Sequence, residues 1–216
     1  MKLVITSHIK GSIALKHILD SLSCLDTFKD IETIVAIGGY YDNKDYEIEK
    51  KDNITYIKCN HNSIDYTAMI ALAELYSQDE NEYYFYVHDT CKAGPDFLNK
   101  IRSIDLTNVS SIKLDEVCSK SMGVYSQKII NKFKDFLMTK KNISESRLME
   151  FKVNCHEDYI FQNDPLCFAL NNRKSMDFTG PVNYYGTGIP RYIVHFENVD
   201  LYKIQANYGV FWTLDN

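Results

Sequence analysis

The chain has 216 residues, 45% hydrophobic and 25% charged, which is enough apolar side chain for one domain with a sizeable core. Its formal net charge of −5 excludes the basic footprint of a general nucleic-acid binder. No apolar run approaches the roughly 20 residues of a membrane-spanning helix, and the first apolar segment is too short for a signal peptide.

In chain order, Leu3 to Thr6 reads as a strand and Ser7-His8-Ile9-Lys10-Gly11-Ser12 as a polar turn. Ser12 is placed to cap a helix whose Leu15, Ile18, Leu19 and Leu22 share one face. Thr33 to Ile37 is a second buried strand, closed by Gly38-Gly39, and Tyr41 to Asp52 reads as a charged, exposed loop. Ile54 to Ile57 is a third strand. Asn60-His61-Asn62-Ser63 then caps a helix carrying Ala68, Met69, Leu72, Leu75 and Tyr76. Tyr83 to Val87 is a run without alternation, the pattern of a strand buried on both faces of a mostly parallel sheet. It ends abruptly in His88-Asp89-Thr90.

Beyond it, Ala93-Gly94-Pro95 is a turn and Phe97 to Ile104 a helix. Ser110 to Leu114 and Met122 to Tyr125 are short strands, and Ser126 caps a helix bearing Ile129, Ile130, Phe133 and Leu137. Cys155 to Phe161 reads as a short helix and Tyr192 to Phe196 as a strand, within a loop-rich, aromatic final third that ends in Tyr208-Gly209-Val210-Phe211-Trp212. Alternating strands and helices over residues 1–91 imply an α/β layered domain. No internal repeat or linker divides the chain, so 1–216 reads as one domain. The six cysteines form no C-x-x-C pair, which points to a reduced intracellular, cytoplasmic protein.

Common enzyme fingerprints are absent. Gly38-Gly39 follows the second strand and precedes a charged loop, so it is not a dinucleotide motif; there is no Walker A loop, G-x-S-x-G or H-E-x-x-H. Four constellations carry chemistry. In open α/β sheets ligands bind beyond the carboxyl ends of strands, so Asp89 is a candidate for metal or substrate contact; the alternative is a loop acid. Glu157 and Asp158 are placed either as capping acids or as a general base for an acceptor hydroxyl. His195 ends an apolar strand, as a second metal ligand or as a structural histidine. Tyr184-Tyr185-Gly186-Thr187-Gly188-Ile189-Pro190-Arg191 offers rings for stacking and Arg191 for phosphate, or is a surface turn.

This order resembles glycosyltransferases of the GT-A fold: a first strand ending in a small polar turn, a helix, a second strand, a capped helix, an apolar strand ending in an acidic motif, and a later Glu-Asp pair. It is similar in particular to the small glycosyltransferase domains encoded by large DNA viruses of algae and protists. The resemblance implies a mostly parallel central sheet flanked by helices, with a nucleotide-binding half (1–91) and a loop-rich acceptor-binding half (92–216). His88-Asp89-Thr90 stands where the family carries Asp-x-Asp, with one acid in place of two. The resemblance further implies a divalent ion, manganese or magnesium, on Asp89 with His195, and Thr6, Ser7 and His8 lining the nucleotide pocket. Asn62 and Asp65 would lie near base, ribose or sugar, and Glu157 or Asp158 would face a glycan acceptor. The implied reaction is transfer of a hexosyl or deoxyhexosyl group from a nucleotide-sugar, UDP-linked by preference, in the host cytoplasm if the protein is viral. Two alternatives stand beside it: a nucleotidyltransferase that makes nucleotide-sugars, and a non-catalytic sugar-binding member of the fold.

Overall fold

The computed structural model describes residues 1–116, 121–141, 143–144, 147, 161, 163–177 and 192–204. Its core is an eight-stranded mixed sheet. The central strands β1 (Lys2–His8), β2 (Thr33–Gly38), β4 (Ile54–Lys58) and β5 (Tyr83–His88) are mutually parallel, in the order β4-β2-β1-β5. Beyond β5 lie β8 (Gly123–Ser126), β7 (Ser111–Lys113) and β9 (Cys167–Ala169). At the other edge is β3 (Glu47–Lys51), antiparallel to β4. Strand order reverses between β1 and β5: the chain goes outward from β1 through β2 and β4, then returns to pair β5 on the other side of β1.

Continuous apolar runs in β1, β2 and β5 hide a strict alternation. Leu3, Ile5, Val35, Phe85 and Val87 face a layer formed by α1 (Ser12–Ser23) and α3 (Phe97–Arg102). Val4, Ile34, Ala36, Tyr84 and Tyr86 face a second layer formed by α2 (Thr67–Leu75), α4 (Gln127–Lys132) and α5 (Lys134–Lys141). Both faces are therefore covered, which is why these strands carry no polar face. Burying each Phe or Val in them contributes about 1.5–3 kcal/mol.

A second, antiparallel sheet has the order β10 (Arg173–Asp177), β11 (Tyr192–Phe196), β12 (Leu201–Ile204), β6 (Cys91–Ala93). Only two residues separate the end of β5 from the start of β6, so the chain changes sheets across Asp89-Thr90. Val194, Phe196 and Leu201 join the α1 side of the core, while Ile193 and Ile204 pack on Ala14 of α1.

The α/β reading with a largely parallel centre holds, and most predicted strands and helices fall where expected. The exposed loop expected over Tyr41 to Asp52 contains β3, every residue of which is exposed. A charged edge strand, wet on both faces, has no apolar period to betray it. It turns into β4 through Asp52, at φ +54°, a backbone state that Asp tolerates better than most residues. The helix expected from Ser126 through Leu137 is two helices, broken at Phe133. Strands β6, β9, β10 and β12 were not expected. The helix expected from Cys155 falls, apart from Phe161, outside the described residues, as do the Tyr184–Arg191 segment and residues 208–212.

Candidate functional site

The reversal between β1 and β5 sets their carboxyl ends side by side, the position where open α/β sheets bind ligands. Thr6, Ser7 and His8 come from the end of β1, and His88, Asp89 and Thr90 from the end of β5. The backbone N–H of Asp89 donates to the Thr6 carbonyl at 3.0 Å, which extends the β1–β5 pairing by one step. On the α1 side the Ser7 hydroxyl donates to Asp89 Oδ2 at 2.8 Å. The carboxylate lies against Gly11, where a Cβ would stand 2.5 Å from Oδ2. Glycine at the entrance to α1 is thus what lets the acid sit between β5 and the helix start.

Burial raises the Asp89 carboxyl to about 6, against the Ser7 hydrogen bond and the nearby Lys203 ammonium, which both favour its charged form. Lys203 arrives from β12 of the second sheet. It is only 6% exposed, and its ammonium donates to the Thr90 hydroxyl. Beside it the Ile204 N–H donates to the Thr90 carbonyl at 3.1 Å. The second sheet therefore delivers a buried cation to the strand end that carries the acid.

Thr6, Asn62, Asp65 and His88 meet on the α2 side. Thr6 Oγ1 reaches the Ile64 carbonyl at 3.5 Å, Asn62 Oδ1 accepts from the Ile64 N–H at 3.1 Å, and Asp65 Oδ1 lies 3.8 Å from His88 Nε2. Ile64 itself has φ +50°, a strained state for a β-branched residue and one that collects at ligand sites. On β1, His8 Nδ1 accepts from the Lys10 N–H at 3.1 Å and caps the turn Ile9–Gly11.

Asn62 also lines a cavity of about 380 Å³ beyond the ends of β2 and β4, with Tyr41, Asn60, His61, Lys141, Ile143 and Ser144. Two of these, His61 and Lys141, belong to a polar cluster. Lys141 Nζ bridges both Glu74 oxygens at 2.7 and 2.9 Å, and the Tyr46 hydroxyl donates to the same carboxylate. His61 contacts Ser63 Oγ at 2.9 Å and the Tyr46 hydroxyl at 3.3 Å. Burial, aided by the Lys141 charge, pushes His61 down to about 4, so it is neutral at physiological pH. Burial alone would raise Glu74, but the hydrogen bonds from Lys141 and Tyr46 outweigh it and hold the acid below its ordinary value.

His195 takes a different course from Asp89. Its Nε2 pairs with Asp200 Oδ1 at 3.1 Å, and its ring stacks on Tyr202 with centroids 4.0 Å apart. In the strand register His195 is opposite Tyr202 while Val194 is opposite Lys203, which puts His195 and Lys203 on opposite faces of the second sheet. Asp200 Oδ2 in turn accepts from the Asp96 N–H at 2.9 Å, at the start of α3. Glu157, Asp158 and Arg191 lie outside the described residues.

Among the described residues no group of three or more His, Cys, Asp or Glu side chains is placed to hold a metal ion. Asp89 does supply one hard oxygen donor, and magnesium-like ions are commonly held by one or two carboxylates together with substrate phosphates. The donor set thus fits an ion shared with a bound diphosphate.

Lys203 is the functional candidate that sequence reasoning missed. Its signal was available: in Leu201-Tyr202-Lys203-Ile204 the lysine shares a strand face with Leu201, and a lone charge on an apolar face asks for a partner. No protein-family model matches the sequence, and no curated protein matches it.

Proposed function

We propose that this chain is a GT-A-type glycosyltransferase that moves a sugar from a nucleotide-sugar, UDP-linked by preference, to a glycan acceptor. The observation that carries the reading is a half-buried carboxylate, Asp89, fixed by Ser7 at the strand-order reversal of a sheet with helices on both faces. The adjoining cavity, about 380 Å³ and lined by Asn60, Asn62 and Tyr41, has room and polar groups for a base and its ribose. Asn62 lines the cavity and accepts from Ile64, whose carbonyl meets Thr6 of β1, so the cavity adjoins the strand ends that carry Asp89.

In this reading Thr6, Ser7 and His8 line the floor beneath the ribose and diphosphate, and His88 and Asp65 flank the sugar. Asp89 would hold a manganese or magnesium ion bound jointly with the diphosphate; such an ion supplies positive charge to the leaving group. His195 is assigned no part in this, because Asp200 and Tyr202 engage it. The bond from the anomeric carbon to the diphosphate oxygen breaks, and a bond to the acceptor oxygen forms. If the reaction inverts, Asp158 or Glu157 takes the acceptor proton; if it retains, that carboxylate orients the sugar. Arg191 is assigned to the phosphates.

The test is donor hydrolysis and sugar transfer across a panel of nucleotide-sugars with and without manganese, on the wild type and Asp89→Ala. Turnover of one donor in the wild type, reduced at least about a hundredfold in the variant, is the expected result. Turnover unchanged by the substitution rejects the assignment.

A further inference from the structure

Lys203 is the charged group the proposed function leaves unused. Burying an ammonium is strongly unfavourable unless it is compensated. The neutral Thr90 hydroxyl takes one of its three N–H donors, and Asp89 is the carboxylate close enough to feel its charge. The lysine does not reach the place by accident of a flexible loop. It sits mid-strand in β12, opposite Cys91 on one side and Val194 on the other, and the Ile204–Thr90 backbone bond fixes the next residue. The outcome is a positive charge built into the fold at the end of β5, near the Asp89 carboxylate that lies against Gly11 at the start of α1.

From this placement we infer that Lys203 is a fixed cation for a diphosphate, sharing with any divalent ion the neutralisation of the nucleotide's pyrophosphate. The inference rests on the proposed function for the nucleotide but not for the pyrophosphate. It carries a consequence that a single-carboxylate ion site alone does not: diphosphate binding persists, weakened, when divalent ions are removed.

The experiment measures binding of UDP and of inorganic pyrophosphate by calorimetry, in EDTA and in manganese. It uses the wild type, Lys203→Met and Lys203→Arg. The wild type is expected to bind both ligands in EDTA. Lys203→Met should lose at least about tenfold in that affinity, the scale of one charged hydrogen bond, and Lys203→Arg should recover most of it. Because Lys203→Met removes a buried charge and so changes stability as well as charge, the wild type is also labelled with ¹⁵N-lysine. One Nζ signal, absent from Lys203→Arg, should shift on adding pyrophosphate in EDTA. UDP binding that is indifferent to Lys203 overturns the inference and leaves the glycosyltransferase reading standing. Pyrophosphate bound through Lys203 with no preference for UDP does the reverse. Binding of neither ligand under any condition overturns both.

Discussion

Asp89 sits where it costs the folded chain stability. Its pKa is raised by burial to about 6, so the folded state holds a proton that the unfolded chain has released near its ordinary value of 3.8. Its contribution is therefore complete at low pH and is lost as pH rises through about 6. Asp89→Asn keeps the shape and removes the charge. At pH 8 it should raise stability by about 1–2 kcal/mol, allowing for solvent on the exposed side of the group. The gain should vanish below about pH 4. Urea unfolding at the two pH values measures both; a variant less stable than wild type at pH 8 refutes the account. At this scale the acid was legible because an apolar strand ending in His-Asp-Thr is a visible break in pattern. Its partners Ser7 and Lys203 were not, since they lie 82 and 114 residues away and meet it only through sheet order.

Among the elements, the connection from β6 to α3 is held by one residue of the turn between β11 and β12, Asp200. The Asp200 carbonyl accepts from the Gly94 N–H at 2.8 Å, and its carboxylate takes the Asp96 N–H. A Cβ at Gly94 would stand 2.2–2.4 Å from that carboxylate, which cannot yield without releasing α3 and His195. Gly94→Ala should cost about 1–3 kcal/mol, the range for overpacking a tight site. Thermal unfolding tests it, and an unchanged midpoint would show that the turn relaxes freely. The long apolar elements β1, β2, α1 and β5 were readable because two buried faces or a helical stripe leave a strong period. Three-residue strands such as β6 and β9 are shorter than any period, and their pairing is set by distant chain.

Over the whole molecule, two titratable groups pull the pH dependence of stability in opposite directions. His61, held at about 4 by burial, stays neutral while the unfolded chain protonates near 6.5. Folding therefore loses about 2–3 kcal/mol as pH falls from 6.5 to 4. Asp89 loses its contribution as pH rises across much of the same window. The two slopes offset each other between about pH 4 and 6. Relative to wild type, His61→Asn should tilt the curve downward with rising pH, Asp89→Asn should tilt it upward, and the double variant should return to the wild-type slope. Urea midpoints at pH 4, 5, 6 and 7 give all four curves, and parallel curves would refute the opposition. At this scale the sequence spoke for the layered α/β plan through its alternating elements. It was silent on the second sheet, because β12, which carries β11 and β10 beside it, finds its partner β6 about 110 residues earlier.

That long span also orders events in time. The ammonium of Lys203 closes on Thr90 across 113 residues of chain. Contacts so distant in sequence form late in folding, and a chain leaving the ribosome makes its early strands first. The parallel centre from β1 to β5 can assemble while β12 is still unmade, leaving the acid without its counter-charge. The end of β5 is therefore completed by one of the last strands to dock, and a chain cut before residue 201 would build the parallel sheet yet lack the buried lysine beside Thr90.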